Sequence, residues 1–310
     1  MKRITLAAVW SLAAALPART ASAQAWVRPG GEGAVTVATQ AIAHTGHILT
    51  DGSTQPVGKS RSAAIYVEVD YAVTERISVT AGIPFVFARF VGPAPEGFRL
   101  QDVDACHCWQ QGLQDFGFTA RFNLLNGATA VTPSVAVGVP SHGYNYIGEA
   151  VVGRRLHELR LAIDAGTRLD AISPRLAVQG RYSYAIVERF LDVPNNRSNI
   201  SAEVAFRVTE AWGVQGTVLR QLTHGGLRAG TLPPTPPDGY PWGEITTEAL
   251  FHQHDRLMRD NSWRVGAATT FTLARAEIYV SHLEFVAGSD THAGRALTAA
   301  FSVPFEWTRR

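Results

Sequence analysis

Long apolar runs are missing from this chain. Beyond its first two dozen residues, none of its 310 positions belongs to a stretch of roughly 18 or more consecutive apolar residues, so a membrane-crossing helix is excluded. Charge is scarce as well. Only 17% of residues are Asp, Glu, Lys or Arg and the net charge is +2, with no basic patch of the strength that nucleic acid requires, so nucleic acid is not an expected partner. Two cysteines cannot build a disulfide framework. Tandem repeats and Gly/Ser linkers are absent too, which leaves one folded domain. Yet 46% of the residues are hydrophobic. A chain this apolar, with no continuous apolar run, has to distribute its hydrophobic side chains periodically.

The period is two. Over 63–73 the odd positions read Ala63, Ile65, Val67, Val69, Tyr71 and Val73, while Tyr66, Glu68 and Asp70 fall between them. Successive side chains of a strand point to opposite faces, so this is a strand with one greasy and one polar face. Ile77, Val79, Ala81, Ile83, Phe85 and Phe87 repeat the phase after the short connection 74–76. Phe116, Phe118, Ala120, Phe122 and Leu124 do so again; Asn126-Gly127, a strong hairpin signal, then leads into Val131, Val135, Val137 and Val139. The same alternation marks 159–164, 175–184, 200–208, 263–271 and 297–307, and it blurs at 214–222 and 277–285.

Counting 34–42 as the first gives about twelve strands of roughly 10 to 14 residues, against the about 9 to 11 that a tilted crossing strand needs. Connections alternate in length. Short ones fall near 74–76, 126–127, 170–174, 209–211 and Ala274, and long ones at 46–61, 89–111 and 224–261, the last containing the Pro-rich stretch 231–243. This is the plan of an all-β transmembrane antiparallel barrel with short periplasmic turns and long extracellular loops. A soluble β-sandwich or lipocalin-like barrel shares the alternation but points its apolar face at a core. A dozen long strands would then need a large second layer to bury so many Phe and Val, and the membrane barrel is the expected fold.

The N-terminus agrees with that destination. Lys2 and Arg3, the apolar run 4–16 and the small residues Ala21-Ser22-Ala23 have the charge, length and cleavage site of a secretory signal peptide. Residues 1–23 are therefore expected to be removed and 24–310 to form the barrel domain in the bacterial outer membrane. Phe305 and Trp307, near the C-terminus, fit the aromatic signal by which such barrels are assembled. Outer-membrane lipid and, during biogenesis, the barrel-assembly machinery are the expected partners.

Three stretches resemble a known family. Asp70-Tyr71-Ala72-Val73-Thr74-Glu75-Arg76-Ile77-Ser78-Val79 is similar to a tight inter-strand turn, Gly112-Leu113-Gln114-Asp115 running on to Arg121-Phe122 to a Gly-x-x-Asp strand, and the segment 135–140 leads into Ser141-His142-Gly143. Together they resemble the outer-membrane transporters named for the meta-pathway of phenol degradation, relatives of the long-chain fatty acid channels. The chain departs from that pattern at Ala72, where the family usually has Gly, at Glu75, where it has Asp, and at Ser141-His142-Gly143, where it tends to have Pro-Thr-Gly. The resemblance implies a passive uptake channel for small hydrophobic or aromatic solutes.

On the polar faces, Glu68, Asp70, Asp115, Arg121, Arg160, Asp164, Arg175, Arg181, Glu203, Arg207 and Arg264, with Glu277 and Glu306, are expected to point into the lumen. They could orient a permeant, or pair across a narrow lumen and hold it rigid, since about twelve strands enclose less than an open porin. Cys106-His107-Cys108 follows Asp102 and Asp104 in a long loop. Exported paired thiols point to a disulfide between Cys106 and Cys108, while Cys106, His107 and Cys108, with His252 and His254, are the alternative metal ligands. An outer-membrane hydrolase would need a serine activated by histidine. His224 is followed by Gly225 and Gly226, and Ser141 and His142 as strand neighbours would face opposite ways, so no enzyme and no cofactor are expected. The expected function is passive transport of small hydrophobic solutes; the alternative is a closed-lumen structural or metal-binding barrel.

Overall fold

The computed structural model describes residues 25–55, 58–94, 99–229 and 247–307, so the expected signal peptide, 1–23, and the stretch 231–243 lie outside the described residues. Twelve strands close into one antiparallel barrel. In chain order they are β1 (Glu32–Ile48), β2 (Lys59–Ala72), β3 (Ile77–Val91), β4 (Asp115–Phe122), β5 (Thr129–Pro140), β6 (Glu158–Arg168), β7 (Leu176–Val187), β8 (Asn195–Arg207), β9 (Trp212–Gly225), β10 (Asn261–Leu273), β11 (Ala276–Ser289) and β12 (Thr291–Glu306). Each pairs with its neighbour in sequence. β12 then returns to β1 in one register from Glu32↔Glu306 to Ile48↔Thr291, broken by a bulge between His44 and Gly46. Three helices of a single turn, α1 (Asp102–Ala105), α2 (Thr247–Phe251) and α3 (His254–Leu257), lie in the connections.

The exposed face of the barrel is the apolar one. Val35, Val37, Ile65, Val67, Val69, Val79, Phe118, Val135, Val137, Leu161, Ile163, Ile200, Val204, Val265, Leu297, Phe301 and Val303 are all exposed, while Ser78, Asn123, Thr132, Asp164 and Ser183 are buried inside. A soluble barrel would reverse this. Only a hydrocarbon solvent makes such a band stable, and the same solvent offers the backbone no hydrogen bonds, so the sheet has to close. Aromatic pairs mark one rim. Tyr71 stacks on Phe305 at 6.3 Å and Trp212 on Phe271 at 6.1 Å, both with rings 2° from parallel. Gly33 lies in register between Tyr71 and Phe305, where a Cβ would run into the Phe305 ring.

That rim carries the strand ends at Glu32 and Glu306 and the connections 73–76, 123–128, 169–175, 208–211 and 274–275, which makes it the periplasmic end. Among the described residues the other end carries 49–55, 92–94, 99–114, 141–157, 188–194, 226–229 and 247–260. Its loops are not uniformly long, since β11 joins β12 through Asp290 alone, at a φ of 54°. The Asp290 carboxylate accepts from the Thr50 hydroxyl at 2.6 Å and the Ala229 amide at 2.7 Å, which holds this tight turn without a longer loop.

The two segments with blurred alternation are strands β9 and β11. Their outward faces carry polar groups among the apolar ones. Arg220 lies 5.1 Å over the Trp263 ring, and exposed His282 and Glu284 bond each other at 2.9 Å. Lys and Arg beside Trp suit the membrane–water boundary, where the apolar band gives way.

The depth dependence is testable on one face of one strand and its turn. Val67→Arg, in the middle of the band, should cost about 2–4 kcal/mol, while Val73→Arg beside the periplasmic turn should cost about 1 kcal/mol or less. Denaturant unfolding from lipid bilayers measures both, and equal costs would contradict the assigned band.

Candidate functional site

The lumen is filled from both ends. From the periplasmic side the segment 25–28 enters the barrel. The Ala25 carbonyl accepts from the Thr132 hydroxyl at 2.5 Å and from the Asn123 amide at 3.3 Å, while the Ala25 amide donates to Gln179 at 3.3 Å. Trp26 donates to the Gly127 carbonyl at 2.9 Å and lies against Gly166, where a Cβ would come within 2.7 Å of the indole. Arg28 reaches Asp70 at 3.7 Å.

Around this segment the inward faces supply charge of both signs. Arg181 donates to both oxygens of Asp164 at 3.3 Å, Asp70 accepts from Thr80 at 2.9 Å, and Glu203 accepts from Gln179 at 2.7 Å. Glu68 lies beside Gly82 on the facing strand, and two guanidinium nitrogens of Arg121 are buried without a hydrogen-bond partner. Higher up, Glu158 gathers three guanidinium groups, those of Arg154 at 3.2 Å and of Arg160 and Arg197. Asp115 accepts from the Tyr144 hydroxyl at 2.5 Å. Arg264 faces Asp260 at 4.0 Å near the extracellular mouth.

Two expected lumen arginines sit elsewhere. Arg175 precedes the first residue of β7, is exposed in the periplasmic turn, and donates to the Val208 carbonyl at 3.1 Å. Extending the alternation by one residue past the strand start misplaced it. Arg207, the last residue of β8, reaches across the same rim to the Pro174 carbonyl at 3.1 Å. Glu306 likewise ends its strand, exposed and in register with Glu32.

From the extracellular side the loops fold inward as a second layer. Tyr144 and Val152 pack on Ala64 and Val86 of the wall, with Tyr66 against them; Ala150 packs on Ala88 and Phe90. Leu250 and Leu257, from α2 and α3, cluster with Val193 and Leu227. Arg256 ties the layer together, its guanidinium 4.2 Å from the Tyr146 ring and 3.8 Å from Phe190. Between this layer and the segment entering from below lies a cavity of about 320 Å³ with Ile42, Ala64, Tyr66, Val86, Val152 and Met258 in its wall. A polar recess of about 330 Å³ adjoins it over Gly117 and Gly138, lined by Asp115, Thr119, Glu158 and Arg160. Gln114, Arg154 and Arg197 border both.

Cys106 and Cys108 are joined by a disulfide just after α1, and His107 contacts the Phe90 carbonyl through Nδ1 at 3.2 Å. These residues do not converge with His252 and His254. His252 lies 3.9 Å from Glu248, while His254 meets His47 and His292. Serine–histidine contacts occur three times among the described residues, one of them between Ser60 and His44 Nδ1 at 3.0 Å. Ser141 and His142 lie in a loop, not a strand, and bond at 2.8 Å; Ser198 reaches His224 Nε2 from the adjacent strand at 2.7 Å and shares its hydroxyl with Tyr182. Among the described residues no carboxylate is hydrogen-bonded to any of these three rings, so the third member of a triad is missing.

Glu149 makes the extracellular layer sensitive to pH. It is buried in the loop 141–157 with neither carboxylate oxygen bonded, and burial pushes its pKa from 4.5 up to about 7. The released loop gives up this proton near 4.5 and the docked loop near 7. Docking is therefore strongest below 4.5 and weakens by roughly 1.4 kcal/mol per unit as pH rises toward 7. Hydrogen-exchange protection in 141–157, taken relative to the intrinsic exchange rate at each pH, should be greater at pH 5 than at pH 8 in the wild type, and Glu149→Gln should keep the greater protection at pH 8. Identical pH profiles in the two proteins would contradict this.

No protein-family model matches the chain, and no curated protein is similar to it in sequence. Solved structures do match. The COG4313 outer membrane channel from Pseudomonas putida F1 is similar with a TM-score of 0.67 at 14% identity, over 93% of this chain and 100% of that one. The beta domain of the Bordetella autotransporter Brka gives 0.52 at 10% identity, over 89% and 100%. What the chain shares with them is the fold of a bacterial outer-membrane β-barrel.

Proposed function

We propose that the protein is a passive outer-membrane channel for small hydrophobic or aromatic solutes. The observation that carries this reading is the cavity of about 320 Å³ inside the barrel, with Ile42, Tyr66, Val86, Val152 and Met258 in its wall. Gln40, Gln114, Arg154 and Arg197 are also in the wall, so the cavity joins apolar surface to polar groups that can orient a small solute. The inward-folded loops border it through Val152, Phe251 and Met258. A solute would enter from outside as the loops part, rest in the cavity, and leave past Trp26 along the charges of Asp70, Arg121, Asp164 and Arg181. Paired charges of both signs disfavour ion current while leaving polar edges for a permeant.

The fold shared with the Pseudomonas putida channel supports this reading, as do the stretches resembling the phenol meta-pathway transporters. The C-terminal strand with Phe301, Val303, Phe305 and Trp307 is the part the barrel-assembly machinery would recognise. The alternative, a closed structural barrel, draws on the filling of the lumen from both ends.

Flux separates them. Liposomes holding the refolded protein should take up a small apolar aromatic solute while planar bilayers pass little ion current, and Val152→Trp, which fills the cavity, should cut uptake without disturbing the barrel. Insertion with no uptake of any solute would favour the closed barrel.

A further inference from the structure

Three imidazoles meet at the extracellular mouth of the lumen. His47 on β1 and His292 on β12 are direct partners across the seam that closes the barrel, and His254 opens α3 above them. One ring nitrogen from each lies within 4.8 Å of the other two. The bulge between His44 and Gly46 is what brings His47 inward. Without the extra residue, His44 and His47 would face opposite sides of the sheet, whereas both border the lumen cavity.

His254 is prepared for coordination. Its side chain is buried, and its Nδ1 bonds the Phe251 carbonyl at 2.9 Å, which places the ring proton there and leaves the lone pair on Nε2. That Nε2 is buried without a hydrogen-bond partner. Its nearest charged neighbour, Asp255, is 3.6 Å away, too far for a hydrogen bond but close enough to favour a cation. An unbonded buried polar nitrogen is unfavourable; a metal ion would meet it. His44 stacks on His292 at 4.9 Å and is itself bonded to Ser60 at 3.0 Å, which fixes the orientation of the seam rings.

We propose that His47, His254 and His292 bind one divalent transition-metal ion of the zinc type, with a fourth position open to the lumen cavity. Neutral imidazoles are borderline ligands that suit zinc, copper and nickel over calcium or magnesium. Bonds of about 2.0–2.1 Å in a tetrahedral arrangement put ligand nitrogens about 3.4 Å apart, so the rings need only close by about an ångström from their present spacing. The Cys106–Cys108 disulfide withholds both thiolates from any competing site in the 92–114 loop. An ion held by the three histidines would join the two seam strands to α3, pinning the loop layer over the channel mouth.

The test is titration of the untagged, chelator-stripped mature protein in detergent, with Zn²⁺ by calorimetry and Co²⁺ by visible absorption. One ion per chain is expected, with Co²⁺ bands of nitrogen ligation. His47→Ala, His254→Ala and His292→Ala should each weaken binding by at least about tenfold. His157→Ala, at an exposed histidine paired with Glu188 at 2.8 Å, should leave it unchanged. Retained heat-modifiable migration confirms a folded barrel, and the Gln variants replace any Ala variant that fails this check. No saturable binding by the wild type, or binding that all three folded variants retain, would overturn the site.

Discussion

The rest of this structure depends on the hydrogen bonding of β12 to β1. Hydrocarbon offers a backbone N–H or C=O no partner, and each unpaired group there costs several kcal/mol. An open edge of sixteen or so residues would be prohibitive. The seam from Glu32↔Glu306 to Ile48↔Thr291 removes it, and the exposed apolar band can then face lipid without penalty.

Closure at twelve strands fixes the size of the interior, and the interior dictates what fills it. A lumen this narrow brings inward charges close enough to pair, so Arg181 finds Asp164 and Glu158 finds three arginines. The remaining space is taken by chain, the segment 25–28 below and the loops above. Occlusion here comes from pieces of the chain docked inside the wall rather than from the wall itself. Loop docking relies on small apolar clusters and on Glu149 in its protonated form, so it is the weaker of the two kinds of packing.

Strand, face and closure were legible in the sequence because a sheet sorts side chains by parity. Ile65, Val67 and Val69 announce their face without reference to anything distant. Arg175 shows where parity stops, since a strand start one residue later moves a side chain from lumen to rim. The blurred alternation in β9 and β11 reflects Arg220, His282 and Glu284 on the outward face, where parity expects apolar residues; Arg220 lies over Trp263, and His282 and Glu284 bond each other. The lumen contents were less visible. Ala25 and Trp26 carry no periodicity, and their partners Thr132, Gln179 and Gly127 are set by three-dimensional closure. The Ser198–His224 and His47–His292 contacts depend on cross-strand register, and the latter on a bulge. Glu158, by contrast, alternates in phase with Arg160 and Asp164 and could have been read as inward from the sequence.

The central claim is that a small apolar solute occupies the space between the loop layer and the segment 25–28. A crystal of the protein soaked with a brominated monoaromatic tests it directly, because anomalous scattering locates the bromine without assumptions about the chain. The account predicts a bromine peak within contact of Tyr66, Val86, Val152 and Met258. Bromine found only on the outward face, with that space empty of solute, would contradict it.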